Sequence, residues 1–333
     1  MSQTHSIAHT FERLQQTFQL GKTRTYAWRK AQLDALLRLL TENEKALCEA
    51  LAEDLGKSQT EAWTTEVGFL ISDIKHTKKH LKQWMKPSRV STPIVAQPGR
   101  SFIQPEPLGT VLIIGAWNYP IQLTLAPYVA ALAAGNCALL KPSELSPASS
   151  ALMATLIPRY LDGDAISVVE GGKDEAAALL ELPFDHIFYT GGDRVGKIVM
   201  QAAAKHLTPV TLELGGKSPC IIDSDTDLAT SARRVVWGKW TNAGQTCIAP
   251  DYLLVERSVT KAFLTLLEQE INRQYGAQPL TSPDYGRVVN RTHFDRIRGY
   301  MQQQDVVIGG QVDEAALRIA PTVVLNPDID SPV

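Results

Sequence analysis

The chain has 333 residues, 44% hydrophobic and 20% charged, with 33 Lys and Arg against 35 Asp and Glu for a net charge of -2. At ~150 residues per domain that length allows about two domains and a core that needs no disulfide or metal staple, and the composition excludes a disordered, collagenous or coiled-coil chain. A near-neutral chain lacks the basic excess that phosphate-backbone binders need, so nucleic acid is not an expected partner.

The N-terminal string MSQTHSIAHTFERLQQ has no basic region followed by an apolar run and does not read as a signal peptide. Residues up to Met85 read as helical. Leu33, Leu36, Leu37 and Leu40 form one apolar stripe, and Thr41 or Asn43 can cap a second helix that runs to Leu55 and is ended by Gly56. A third helix is expected over 60–85, with Val67, Leu70, Ile71, Ile74, Leu81 and Trp84 on one face and Pro87 as its stop. On it His76 and His80 have the i,i+4 spacing of a metal pair. No third ligand accompanies them, and Lys75, Lys78 and Lys79 surround them, so the expectation is a solvated basic face and no metal. Over 89–107, Val90, Ile94, Val95, Phe102 and Ile103 flank Gln97-Pro98-Gly99-Arg100, a hairpin signal. An edge ribbon and an arm reaching a second subunit both fit it.

From Val111 the pattern becomes regular. Apolar strands are expected at 111–114, 138–140, 166–169, 187–189 and 210–214, separated by helices, one of them opened by the Ser146-Pro147 cap pair and another running over 194–205. Short apolar strands alternating with helices imply βαβ units and a parallel, doubly wound sheet, whose ligands bind outside the carboxyl ends of the strands. The apolar run 123–140 is interrupted by Pro127 and Gly135-Asn136, and reads as a buried helix, a stop and a buried strand rather than a membrane span. After Gly215-Gly216 a second alternation begins: a strand at 219–222, a helix at 228–240, a strand at 252–255 and a helix at 259–275. A domain boundary is placed at Gly215-Gly216.

The polar residues that stand out fall at the strand ends. Trp117-Asn118 follows the first strand; the Asn118 amide could donate to a developing oxyanion or serve as a helix cap. Lys141-Pro142-Ser143-Glu144 follows the second, where a dinucleotide fold holds the adenosine ribose; a turn with a surface ion pair is the bland alternative. Thr190-Gly191-Gly192 opens a helix whose amides, Gly196 among its first turns, could receive a pyrophosphate. Glu213 ends the last strand before Leu214 and two glycines; partial burial would raise its pKa toward that of a general base, and a solvated strand end is the competing reading. The four cysteines are scattered with no C-x-x-C pair, which fits a reducing cytoplasm and neither zinc nor a disulfide framework. Cys48, Cys137 and Cys220 sit in apolar contexts and read as structural. Cys247 instead lies in the small, polar loop Asn242-Ala243-Gly244-Gln245-Thr246-Cys247, where backbone N–H groups can stabilise a thiolate, and a buried structural cysteine is the competing reading.

Taken together, Gly115-Ala116-Trp117-Asn118-Tyr119-Pro120, Lys141-Pro142-Ser143-Glu144, Leu212-Glu213-Leu214-Gly215-Gly216-Lys217-Ser218-Pro219 and Gly244-Gln245-Thr246-Cys247 resemble, in order, the motifs of the aldehyde dehydrogenase superfamily. Lys205-His206-Leu207-Thr208-Pro209-Val210 and Ile248-Ala249-Pro250-Asp251-Tyr252 look like its class 3 branch, which acts on fatty and aromatic aldehydes. The resemblance implies an α/β, aldehyde dehydrogenase-like fold: a Rossmann-type NAD(P)-binding domain over 1–88 and 106–215, an oligomerisation hairpin over 89–105 and an incomplete catalytic domain over 216–333. It implies oxidation of an aldehyde to a carboxylic acid. Cys247 is then the nucleophile, Asn118 and the Cys247 backbone N–H the oxyanion hole, and Glu213 the activator of the hydrolytic water. Trp117, Lys141, Ser143, Glu144, Thr190, Gly191, Gly192, Gly196 and Leu214 are the cofactor-binding set. Glu144 at the ribose points to NAD, and Lys141 beside it leaves NADP open. A cytoplasmic homodimer is implied for the full-length protein, with no strong membrane signal.

Two departures from the family pattern stand out. Gly192 replaces the usual small polar residue after Thr-Gly, and the family continues past Val333 with a glutamate that contacts the nicotinamide ribose. A truncated chain is therefore expected, and an inactive cofactor-binding or structural remnant is the alternative function.

Overall fold

The computed structural model describes residues 3–328 and 330–331. In chain order the elements are α1 (Gln3–Gln19), α2 (Tyr26–Glu42), α3 (Glu44–Leu55), α4 (Gln59–Ala62), α5 (Gly68–Trp84), β1 (Ser88–Val90), β2 (Ser101–Ile103), β3 (Thr110–Ile114), α6 (Gln122–Ala134), β4 (Cys137–Lys141), α7 (Pro147–Tyr160), β5 (Ile166–Val168), α8 (Lys173–Leu180), β6 (His186–Thr190), α9 (Asp193–Ala204), β7 (Val210–Glu213), β8 (Ser218–Ile222), α10 (Leu228–Trp240), β9 (Pro250–Val255), α11 (Thr260–Tyr275), α12 (Arg291–Tyr300) and four strands of two or three residues, β10 to β13, between Val306 and Val324. Their contacts divide the chain into two compact units, Met1–Leu47 with Thr64–Glu213, and Cys48–Trp63 with Leu214–Val333.

The first unit is built on a five-stranded sheet of order β5-β4-β3-β6-β7, parallel throughout. All five residues of β3 and of β4 are buried, as expected of parallel strands covered on both faces. The strand order runs outward from β3 in one direction through β4 and β5 and in the other through β6 and β7, so the topological switch lies between β3 and β6. The apolar run 123–140 resolves into α6, a stop and β4. Gly135 closes the helix at φ 90, and a side chain there would run into the Arg29 guanidinium. Arg29 donates to Ala133 O at 3.1 Å and Thr23 Oγ1 donates to Gly135 O at 2.6 Å, satisfying carbonyls that a helix end otherwise leaves open. No described helix is long and apolar enough to cross a membrane.

The helix expected over 60–85 is interrupted. One wide, π-type turn spans Trp63–Val67 between α4 and α5. Its residues include the β-branched Thr64, Thr65 and Val67, which crowd a regular helical turn. Glu66, inside it, is fully buried and bonded to a neighbouring helix start, which holds the turn open. The hairpin forms as expected, with β1 and β2 antiparallel. Its apolar residues face outward: Ile94 is 90% and Val95 96% exposed.

The second unit has its own core of Ile222, Val235, Val236, Trp240, Phe263, Leu267, Ile271 and Tyr285. It supports the parallel pair β8 and β9.

Candidate active site

In the first unit the singled-out residues fall at the carboxyl ends of the parallel strands. Trp117 and Asn118, half-buried, follow β3. Ser146 Oγ donates to Trp117 O at 2.8 Å. Thr124 Oγ1 donates to Pro120 O at 2.7 Å, and a Cβ on Gly115 would strike that hydroxyl. The backbone thus turns tightly between strand and helix, and Asn118 stands in the turn itself.

Lys141 ends β4 and is buried, whereas the Glu144 side chain is 50% exposed; the two are paired at 3.2 Å. Lys141 Nζ also donates to Pro142 O at 3.2 Å, and Ser143 is buried beside them. The ion pair of the bland reading is present, and its carboxylate faces solvent, where a hydroxyl-bearing ligand can reach it.

At the end of β6, Thr190 is buried and its Oγ1 finds no hydrogen-bond partner among the described residues. Tyr189 Oη donates to Gly192 O at 3.1 Å and fixes the turn. Gly192 caps α9 with no side-chain bond, and nothing lies within 4 Å of where its Cβ would be. Gly196 is buried in the second turn of that helix. This is an open helix N-terminus beside an orphaned buried hydroxyl, a setting that fits a phosphate group.

Glu213 ends β7. Of the two readings of its side chain, partly buried or at a solvated strand end, the structure has the exposed one, β7 being the edge strand of the sheet. Its carbonyl accepts from Gly191 N at 3.0 Å, joining the ends of β6 and β7.

In the second unit Cys247 lies on the loop between α10 and β9 and is half-buried. The loop is held in an uncommon conformation: Asn242, Ala243 and Gly244 have φ of 56, 52 and 80. Such positive values are rare for residues bearing a Cβ and need compensation. That compensation is visible. Glu61 Oε1 accepts from Asn242 N at 2.6 Å. Gln245 Nε2 donates to Asn242 O at 3.0 Å and Arg287 O at 2.9 Å, and Gln245 Oε1 accepts from Val289 N at 3.0 Å. Gly216, just after Leu214, packs so closely that a Cβ would run into the Cys247 carbonyl oxygen.

Downstream of the loop, Asp251 pairs with Lys217 and lies 3.8 Å from Lys239. Burial lowers the Lys239 pKa, only partly offset by Asp251. Of the other cysteines, Cys48 and Cys137 are buried and Cys220 is half-buried. Burial pushes the Cys137 thiol up to about 12 and raises Cys220 as well, which keeps both protonated and inert. Among the described residues no group of His, Cys, Asp and Glu could hold a metal ion.

Several supporting residues carry no motif of their own. Glu61, Glu66 and Arg287 act on backbone groups remote in sequence. The one signal was for Glu66, which shares the i,i+4 stripe of Leu70 and Ile74 and so places a carboxylate on an apolar face.

Residues 2–333 match the family model described as "Aldehyde dehydrogenase family". The chain is 47% identical over 328 residues to the rat "Aldehyde dehydrogenase, dimeric NADP-preferring", spanning 98% of this chain and 72% of the relative. It is 48% identical over 327 residues to bovine "Aldehyde dehydrogenase family 3 member B1", spanning 98% and 70%. Among solved structures, the substrate-bound AldH of Staphylococcus aureus superposes with a TM-score of 0.95 at 43% identity, over 98% of this chain and 72% of that one. The chain belongs to the aldehyde dehydrogenase family, on its class 3-like branch, a family of NAD(P)-dependent oxidoreductases that convert aldehydes to acids.

Proposed function

We propose that Cys247, Glu213 and Asn118 carry this chemistry. The Cys247 thiolate adds to the aldehyde carbonyl carbon, and the carbonyl π pair moves onto oxygen. The Asn118 side-chain N–H and the Cys247 backbone N–H donate to that oxygen; one such donor is typically worth about 3 kcal/mol. When NAD(P) is bound, its nicotinamide supplies the two-electron acceptor that the oxidation requires. As the carbonyl re-forms, the C–H bond breaks and its hydrogen leaves with the electron pair, so the acyl group rests on Cys247 as a thioester. Glu213 takes a proton from water, the water oxygen attacks the thioester carbon, and the acid leaves as Cys247 departs as thiolate. The observation that supports this reading most is the strained loop over 242–247, whose conformation is locked by Glu61 and Gln245. Backbone strain of this kind concentrates at reacting sites.

For the cofactor, Lys141, Ser143 and Glu144 would hold the adenosine ribose. The α9 N-terminus with Thr190, Gly191, Gly192 and Gly196 would hold the pyrophosphate, and Trp117 and Leu214 would flank the nicotinamide. The exposed Glu144 carboxylate disfavours a 2′-phosphate and supports NAD. Lys141 leaves NADP open, and the rat relative is NADP-preferring by name. Within this assignment 1–88 and 106–215 form the cofactor domain and 216–333 the catalytic one. The exposed apolar residues Ile94, Val95, Phe102 and Ile103 on the hairpin support an oligomerisation arm and a homodimer. The scattered cysteines, with no C-x-x-C pair, fit a reducing cytoplasm.

The test is NADH appearance from the chain given NAD and a medium-chain or aromatic aldehyde. Turnover should vanish in Cys247→Ala, and acid release should stall in Glu213→Gln. Acid formation undiminished in Glu213→Gln would overturn the hydrolytic role. Cofactor binding without any turnover would favour a binding module.

A further inference from the structure

We infer that Glu66 is a positioning residue for the Asn118 amide, acting through the backbone of the turn that carries it. The inference rests on the reading of Asn118 as oxyanion donor.

Asn118 belongs to neither β3 nor α6. The backbone that carries its side chain is fastened at both ends of the turn. At one end Ser146 Oγ holds Trp117 O. At the other, Glu66 Oε2 accepts from Ile121 N at 2.9 Å and from Gln122 N at 3.0 Å. These amides open α6, whose cap residue Ile121 offers no side-chain bond of its own. The first N–H groups of a helix have no partner within it, and here water is largely kept from them: Pro120, Ile121, Thr124 and Leu125 are buried, and Gln122 is half-buried.

Glu66 itself has no exposed surface. A carboxylate is stabilised at a helix N-terminus by the aligned peptide dipoles and by charge-assisted bonds. It stands within the wide turn at Trp63–Val67 that interrupts the helix over 59–84. A wide turn forgoes regular helical bonds and is found preferentially at functional sites. A carboxylate that stands in such a turn and fixes the backbone three residues from the Asn118 donor is placed for precision at Asn118.

Glu66→Gln tests this. It keeps the shape and an acceptor oxygen for the two amides but removes the charge and puts an NH2 group where the second carboxylate oxygen stood. The expected result is a fall in kcat of roughly tenfold, a fraction of the ~10²–10³-fold that deleting an oxyanion donor costs, with KM for aldehyde and for NAD little changed. In an Asn118→Ala background the same substitution should cost nothing further, because its effect runs through Asn118. Hydrogen exchange over 117–124 should quicken in Glu66→Gln and nowhere else in the first unit, a readout that stands even if turnover is too slow to follow. Equal losses in both backgrounds, or unchanged exchange over 117–124, would overturn the Glu66 inference with the donor reading intact. Full turnover in Asn118→Ala would instead overturn the donor reading itself.

Discussion

The Glu61 carboxylate accepts the backbone N–H of Asn242 at 2.6 Å, across 181 positions of sequence. Asn242 is buried and begins the run of left-handed residues that leads to Cys247. The bond therefore restrains the backbone where its intrinsic preference is weakest.

Glu61→Ala removes the acceptor and leaves a buried amide to find another. The expected cost is about 1–3 kcal/mol of stability, read as a lowered urea midpoint. Glu61→Gln, which keeps a carbonyl oxygen in place, should lose less. The Cys247 loop should become more accessible in Glu61→Ala, so alkylation of Cys247 by iodoacetamide should change in rate more than that of Cys220. Equal midpoints for Ala and Gln would show that the bond contributes nothing.

Gly216→Ala should damage the same loop from the other side. A methyl group there meets the Cys247 carbonyl oxygen, a backbone atom that cannot swing away, whereas a methyl at Gly215 meets nothing within 4 Å. Overpacking of this kind costs about 1–3 kcal/mol. Displacement of the nucleophile by even a fraction of an ångström should lower turnover by up to ~10²-fold. Gly215→Ala is the stability control and should melt like the parent. Matching melting curves for both variants would contradict the close approach.

Much of this organisation could be read from residue order alone, and the part that could not has a common cause. β3, β4 and β6 announced themselves as short apolar runs ended by polar residues, and Gly135-Asn136 marked the stop of α6. The contacts that fix the turn at Asn118 and the loop at Cys247 come from carboxylates in α4 and the wide turn after it. They bind backbone amides, which have no residue identity, so no pairing of side-chain types betrays them. The interruption at Trp63–Val67 was equally hidden, since a single wide turn barely disturbs an apolar stripe. Exposure of Glu213 depends on β7 being the edge strand, a fact of sheet order rather than of local sequence.

Gly192→Ser should strengthen cofactor binding. The site has room for the side chain, and the backbone at φ -79, ψ 154 is an ordinary cap conformation for any residue. A serine hydroxyl would cap α9, a gain of only a few tenths of a kcal/mol over glycine, and would offer one more donor to a phosphate at the helix N-terminus. A hydrogen bond to a charged group is worth about 1.5–3 kcal/mol, less the loss of rotamer freedom, so Kd for NAD should fall by roughly threefold or more in a fluorescence titration. An unchanged or weaker Kd would place the pyrophosphate away from this turn.

Acid should loosen the first unit at Asp162. Burial alone would raise this carboxyl's pKa, but hydrogen bonds from Lys22 Nζ, Trp28 Nε1 and the Asp164 backbone N–H outweigh it and hold the value below the ordinary 3.8. Lys22 Nζ lies 2.8 Å from Oδ2, and Trp28 Nε1 donates to the same oxygen at 2.9 Å. These bonds tie the α2 end of the helical layer to the loop before β5. With the folded pKa depressed, the unfolded chain binds more protons between the two values, so stability rises with pH across that window. The contribution is complete above the ordinary value and is lost as pH falls through the folded one. Lys22 is 40% exposed, so solvent screens the pair and its worth is about 1 kcal/mol. Asp162→Asn should lower the unfolding free energy at neutral pH by that amount, read from urea titration, and flatten its decline below about pH 4, while Lys22→Met should give a smaller version of both effects because Trp28 still holds the carboxylate. Parallel acid limbs for Asp162→Asn and the parent would mean that the depressed carboxyl lies elsewhere.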